Sequence, residues 1–213
     1  MLRSFHRPGR SSWQALRLLV LAVVILELTV SAAPKNIILL IGDGMGPEQV
    51  KAAGMYATGI AGSLDFEGLP FKGVVTTYSA NNAVTDSAAA GTAIATGVKV
   101  NNYVISMASP GDGSELQTLL EYFRDRGKMT GLVTTTYATH ATPAAFGAHE
   151  PDRNNTANIA GDYLTQTRPN VLLGGGGNGL TPENAQAAGY TVVTDRTGLL
   201  GIETETATYV SGQ

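Results

Sequence analysis

Lys35-Asn36-Ile37-Ile38-Leu39-Leu40-Ile41-Gly42-Asp43-Gly44-Met45-Gly46 decides the fold class. Five apolar residues in succession lack the alternation of a half-solvated strand. They suit a strand buried on both faces, as in a parallel sheet covered by helices. The run stops at Gly42, and Pro47 is a good first-turn residue for a helix that reaches about Tyr56. An aspartate at the C-terminal end of such a strand stands where open α/β sheets gather functional groups. Its glycine neighbours leave room for a cation, so Asp43 reads as a metal ligand; the plain alternative is a turn aspartate bonded to its own backbone. A dinucleotide-binding fingerprint fails, because Pro47 stands where a third glycine is required and Asp43 would bring negative charge toward a pyrophosphate.

Outward from this segment, strand and helix patterns alternate. Residues 74–78 form a second strand candidate. Ser114 opens a helix whose Leu116, Leu119, Leu120 and Phe123 share one face and which Gly127 ends. Residues 129–135 read as a strand, 155–166 as a helix and 171–173 as a strand. Thr181-Pro182-Glu183-Asn184 starts a helix that Gly189 stops, ahead of a strand at 190–193. Residues 198–213 carry no element that pattern alone supports, which suggests a chain cut short. The alternation defines an α/β class.

The glycine run Gly174-Gly175-Gly176-Gly177-Asn178-Gly179 follows a strand but lacks the Lys-Ser/Thr pair of a phosphate loop, so it reads as a turn. Asn154-Asn155-Thr156 matches a glycosylation sequon, a short pattern that would crowd a pocket beside Arg153.

Composition narrows the function. The 213 residues carry a net charge of −3 and no cysteine. Thiolate metal sites and thiol catalysis are therefore excluded, and an oxidising compartment is tolerated. With no basic cluster after the first segment, a nucleic-acid surface is not expected. Arg3, Arg7, Arg10 and Arg17 precede an apolar run at 18–26, followed by small residues at Val30 and Ala32. This is the layout of a signal peptide, residues 1–32, with export to the periplasm or the extracellular space. The run falls short of the roughly 20 residues of a spanning helix, so no stable transmembrane span is expected. Residues 33–213 are the folded part.

Val84-Thr85-Asp86-Ser87-Ala88-Ala89-Ala90-Gly91-Thr92-Ala93 places a serine at the head of a helix of small residues. Unpaired N–H groups and the positive dipole end favour an anion there. The plain reading is that Asp86 or Ser87 simply caps the helix. Thr139-His140-Ala141-Thr142-Pro143-Ala144 is followed by His149 and Arg153. Thr142 offers a neutral oxygen suited to magnesium, and Arg153 a planar fork for two phosphate oxygens or, alternatively, a surface ion pair. A metal pair of His140 and His149 is an option disfavoured by their nine-residue separation.

These strings, in this order, resemble the alkaline phosphatases: I-G-D-G-M-G, V-T-D-S-A-A-A-G-T-A, H-A-T-P-A with an arginine just after it, and L-L-G-G-G. The likeness runs from Lys35 to Gln213. It implies a three-layer α/β fold with a largely parallel central sheet, incomplete at the C-terminus. It further implies a phosphate-monoester hydrolase with two zinc ions and one magnesium ion. Ser87 would be the nucleophile, phosphorylated in turnover and in contact with a zinc ion. Asp43 would be shared between that zinc and the magnesium, Thr142 would bind the magnesium, Arg153 would grip the phosphate, and Asp86 would orient Arg153. His140 falls where family members carry aspartate or histidine near the magnesium, a candidate acting behind its direct ligands. The full-length protein would be a homodimer. Family members are longer, and their remaining zinc ligands have no counterpart here, so a truncated chain with little activity is expected. A related metal-dependent phosphodiesterase and a non-catalytic exported phosphate-binding protein are the alternatives.

Overall fold

The computed structural model describes residues 35–203 and 206–213. The proposed signal peptide, residues 1–32, lies outside them. The chain divides into two units at Gly42. In the first, residues 37–41 run extended, with side chains 38–89% exposed. The expected buried strand is thus absent: an extended run becomes a strand only when a neighbour takes its N–H and C=O groups, and no described residue does so. Residues 74–78, in the second unit, are likewise extended without a ladder partner, and Val74 and Val75 are exposed.

The second unit carries the regular structure. Helix α1 (Pro47–Thr58) begins with its proline and ends at Gly59, whose φ of 77° supplies the left-handed cap. Helix α2 (Ser87–Thr96) is capped by Asp86 and ends at Gly97. Helix α3 (Leu119–Arg124) starts five residues later than Ser114. The reason is local: Thr118 accepts from the Glu121 N–H while the Glu121 carboxylate accepts from the Thr118 N–H, a capping box that outweighs the serine. Strand β1 (Gly131–Tyr137) leads into helix α4 (Ala141–Gly147). Helix α5 (Thr156–Asp162) continues as a π-helical turn, Tyr163–Thr167. Strand β2 (Val171–Gly175), helix α6 (Pro182–Ala187), strand β3 (Thr191–Val193), helix α7 (Arg196–Leu200) and strand β4 (Val210–Gly212) complete the order.

The four strands form one parallel sheet in the order β1-β2-β4-β3. The C-terminal segment, which had yielded no element, thus supplies a helix and an inner strand. Its β4 is too short and too mixed, Val210-Ser211-Gly212, for periodicity to reveal it. Pairing on both sides defines it instead: Ser211 lies between Leu172 and Val192.

The core gathers Ile105, Ile159, Tyr163, Leu172 and Leu180, each buried. Burying Tyr163 would strand its hydroxyl, but that group donates to the Ala138 carbonyl at 3.1 Å. Helices α2 and α4 pack through small residues. A Cβ on Gly91 would lie 2.9 Å from the Ala145 Cβ, so only glycine permits this approach. The close packing brings the head of α2 beside the first turn of α4.

Candidate active site

Two polar constellations meet at the head of α2. In the first, Asp43 Oδ1 accepts from Ser87 Oγ at 3.1 Å, and Asp43 Oδ2 accepts from Thr142 Oγ1 at 2.9 Å. Three oxygen-bearing side chains from segments distant in sequence therefore converge. Asp43 sits in the turn before α1, Ser87 is the first residue of α2, and Thr142 lies in the first turn of α4. Asp43 is exposed, whereas Ser87 and Thr142 are half-buried.

The second is built on Asp86. Its Oδ1 accepts from the Ala89 N–H at 2.9 Å, a helix cap worth about 1 kcal/mol. Its Oδ2 accepts from the Tyr103 N–H at 3.1 Å and pairs with Arg153 Nη1 at 3.1 Å. The Arg153 backbone N–H donates to the Tyr103 carbonyl at 2.8 Å. Arg153 Nη2 lies 3.3 Å from His140 Nε2, and the His140 ring meets Tyr137 edge-on. With Asp86 and His140 each holding one terminal nitrogen, the guanidinium is fixed in direction and retains N–H donors for an anion.

Charge is arranged to suit. Partial burial, with the Arg153 cation beside it, holds the His140 pKa below its ordinary value, against the pull of Asp43. A neutral His140 accepts the Arg153 hydrogen bond at Nε2, which assigns the ring proton to Nδ1.

Ser87, Asp43 and Thr142 are thus in hydrogen-bonding contact, as are Asp86, Arg153 and His140. The His140–His149 pair does not form. His149 is buried, with Nδ1 donating to the Ser106 carbonyl at 2.9 Å and Nε2 facing Glu121 Oε1 at 3.3 Å. That ion pair is close but poorly aligned for a hydrogen bond. Burial opposes both charges. Glu121 and the Ser106 carbonyl nonetheless raise the His149 pKa, while His149, the Thr118 N–H and Arg124 lower that of Glu121 to about 2. Sequence reading also passed over Asn102 and Tyr103; the only signal was an Asn101-Asn102 dipeptide, a common turn former.

The alkaline phosphatase family profile matches residues 34–211, and the chain belongs to that family. It is 39% identical to streptomycin-6-phosphate phosphatase of Streptomyces griseus, over 91% of this chain and 51% of that protein. It is 40% identical to alkaline phosphatase 3 of Bacillus subtilis, over 78% of this chain and 39% of that protein. Among solved structures, the cold-active alkaline phosphatase of a Shewanella species matches with a TM-score of 0.70 at 35% identity, covering 81% of this chain and 44% of the other. The chain therefore spans about half, or less, of the relatives it matches.

Proposed function

We propose that this chain carries the serine nucleophile and the phosphate-gripping arginine of a phosphate-monoester hydrolase. The observation that carries the reading is the shared Asp43 carboxylate: it gathers Ser87 and Thr142 while the adjoining Asp86 fixes Arg153. In the proposed first step, Ser87 Oγ attacks the phosphorus, the bond to the leaving oxygen breaks, and the alcohol departs with a proton. Water then attacks phosphoserine 87, releasing inorganic phosphate and restoring the hydroxyl. Asp43 Oδ1 holds the Ser87 hydroxyl hydrogen before attack. The remaining Arg153 donors face the phosphate oxygens, where charge develops.

A metal fits this donor set. One carboxylate and two hydroxyl oxygens are hard ligands of the kind magnesium takes, and a TAB5 alkaline phosphatase variant was solved with Mg bound. Asp43 and Thr142 would hold magnesium, with Asp43 and Ser87 turned toward zinc. Bound metals would supply Lewis acidity, lowering the cost of the serine alkoxide and of the departing oxygen. Among the described residues no three His, Cys, Asp or Glu side chains converge on one point, so these residues furnish part of a coordination shell. The two-zinc, one-magnesium complement and dimerisation are carried over from the family resemblance. Export is supported by the layout of residues 1–32.

The test is hydrolysis of a chromogenic phosphate monoester with zinc and magnesium added, in the parent and in Ser87→Ala. Metal-dependent turnover lost in Ser87→Ala supports the reading, as does stoichiometric phosphorylation of Ser87 at low turnover. Neither turnover nor phosphoserine, together with phosphate binding indifferent to chelator, would replace it with a non-catalytic binding protein. Preferential diester cleavage would replace it with a phosphodiesterase.

A further inference from the structure

We infer that Asn102 is a positioning residue that sets the Asp86-Ser87 pair, and through Tyr103 the arginine opposite it. The inference rests on the proposed function for its catalytic meaning and on geometry for its substance. Asn102 Oδ1 accepts from the Asp86 N–H at 3.2 Å, and Asn102 Nδ2 donates to the Val84 carbonyl at 3.0 Å. One amide side chain thus bridges the two peptide groups that flank Thr85, directly before the Asp86-Ser87 pair. The next residue completes the connection: the Tyr103 N–H donates to Asp86 Oδ2, and its carbonyl accepts from the Arg153 N–H. Asn102 is itself anchored, its N–H donating to Asn81 Oδ1 at 2.9 Å, an oxygen that also accepts from Ser79 Oγ.

Backbone conformation points the same way. Tyr103 has φ of 74°, a left-handed conformation that is strained for a bulky residue. It turns the Tyr103 N–H and carbonyl to Asp86 and Arg153, so the strain is tied to the pair that holds the phosphate. Neighbouring Asn101 has a different task, its Nδ2 donating to Ser109 Oγ at 3.1 Å. The two asparagines therefore provide their own comparison: one faces the nucleophile segment and the other faces away.

The test compares Asn102→Ala with Asn101→Ala in the full chain. Amide exchange at Asp86, Tyr103 and Arg153 should quicken about tenfold or more in Asn102→Ala and stay near parent in Asn101→Ala. With zinc and magnesium, Asn102→Ala should lower kcat about tenfold while KM moves less than about twofold, because a misplaced nucleophile weakens the transition state more than ground-state binding. Melting curves on both variants separate this from general loosening, which would quicken exchange throughout α2 and α4. Unchanged exchange at the three amides in Asn102→Ala, or equal quickening in Asn101→Ala, overturns the inference. A kcat equal to parent's does so too. A parent chain with neither turnover nor phosphoserine overturns the phosphatase reading instead, and the exchange comparison still decides whether Asn102 holds Asp86.

Discussion

Asp86 Oδ2 lies 3.1 Å from Arg153 Nη1 while the other oxygen of the same carboxylate caps the helix that begins at Ser87. Through this carboxylate the position of Ser87, the proposed nucleophile, and the direction of the arginine are set together. The two tasks ask different things of the side chain. Capping needs an oxygen acceptor; pairing needs a negative charge.

Asp86→Asn should separate them. Asparagine caps as well as aspartate, so stability should stay within about 0.5 kcal/mol of parent, whereas Asp86→Ala should lose about 1 kcal/mol. Both should weaken phosphate binding, because neither holds Arg153 by charge. Chemical denaturation and phosphate titration on the same samples check the claim, and an Asn variant that binds phosphate like parent defeats it.

How much of this was legible in sequence follows from the range of each interaction. The head of α2 was readable because a cap is local: Asp86, Ser87 and the small residues after them lie within one turn. The first-turn proline at Pro47 and the cap at Thr181 were equally local. Strand β4 was not readable, since three residues carry no period and only the flanking β2 and β3 define it. Residues 37–41 show the converse. Their apolar run speaks for a buried strand, yet strand formation depends on a partner, which a run of side chains does not encode. Asp43 could be suspected from its place after the run, but its contact with Thr142, 99 residues away, is a product of topology. For His149 the residue type raised metal binding and the spacing spoke against it; burial beside Glu121 gives it a structural partner.

That buried pair predicts a pH dependence. Glu121 has a lowered pKa, so its contribution is complete above the ordinary 4.5 and is lost as pH falls toward about 2. His149 has a raised pKa, so its contribution is complete below the ordinary 6.5 and is lost as pH rises through the raised value. The pair therefore stabilises most between those two ordinary values. Glu121→Gln should cost about 2 kcal/mol at about pH 5.5, less than a fully buried pair because Glu121 retains 16% side-chain exposure. The penalty should shrink at alkaline pH, once the pH has passed the raised His149 value and the ring is neutral. Urea denaturation at both pH values decides; an equal penalty at each would mean that the pair is not ionised in the fold.

Gly91 offers a packing test. Alanine improves helix propensity by about 1 kcal/mol over glycine. Here its Cβ would sit 2.9 Å from the Ala145 Cβ, and forcing α2 from α4 costs about 1–3 kcal/mol. Overpacking should win, so Gly91→Ala should be destabilised by about 1 kcal/mol. Gly91→Ala combined with Ala145→Gly should recover part of the loss. Thermal unfolding measures both, and a stabilised single variant would show that the helices can part freely.

Metal addition probes the Asp43 cluster without depending on turnover. If Asp43 and Thr142 hold magnesium in the folded chain alone, magnesium should raise the melting temperature, since a ligand at about 100 times its Kd stabilises by about 2.7 kcal/mol. Asp43→Asn removes the charge but keeps an oxygen of similar shape, and it should abolish most of the shift. Thr142→Val keeps the volume and removes the hydroxyl, and should reduce the shift further than it lowers metal-free stability, because Thr142 Oγ1 is the second oxygen at the site. The two contributions are separable because each variant is measured with and without metal. A parent that gains nothing from magnesium, or an Asp43→Asn variant that gains as much as parent, would place the metal elsewhere and leave the Asp43 contacts as hydrogen bonds that only order the Ser87 hydroxyl.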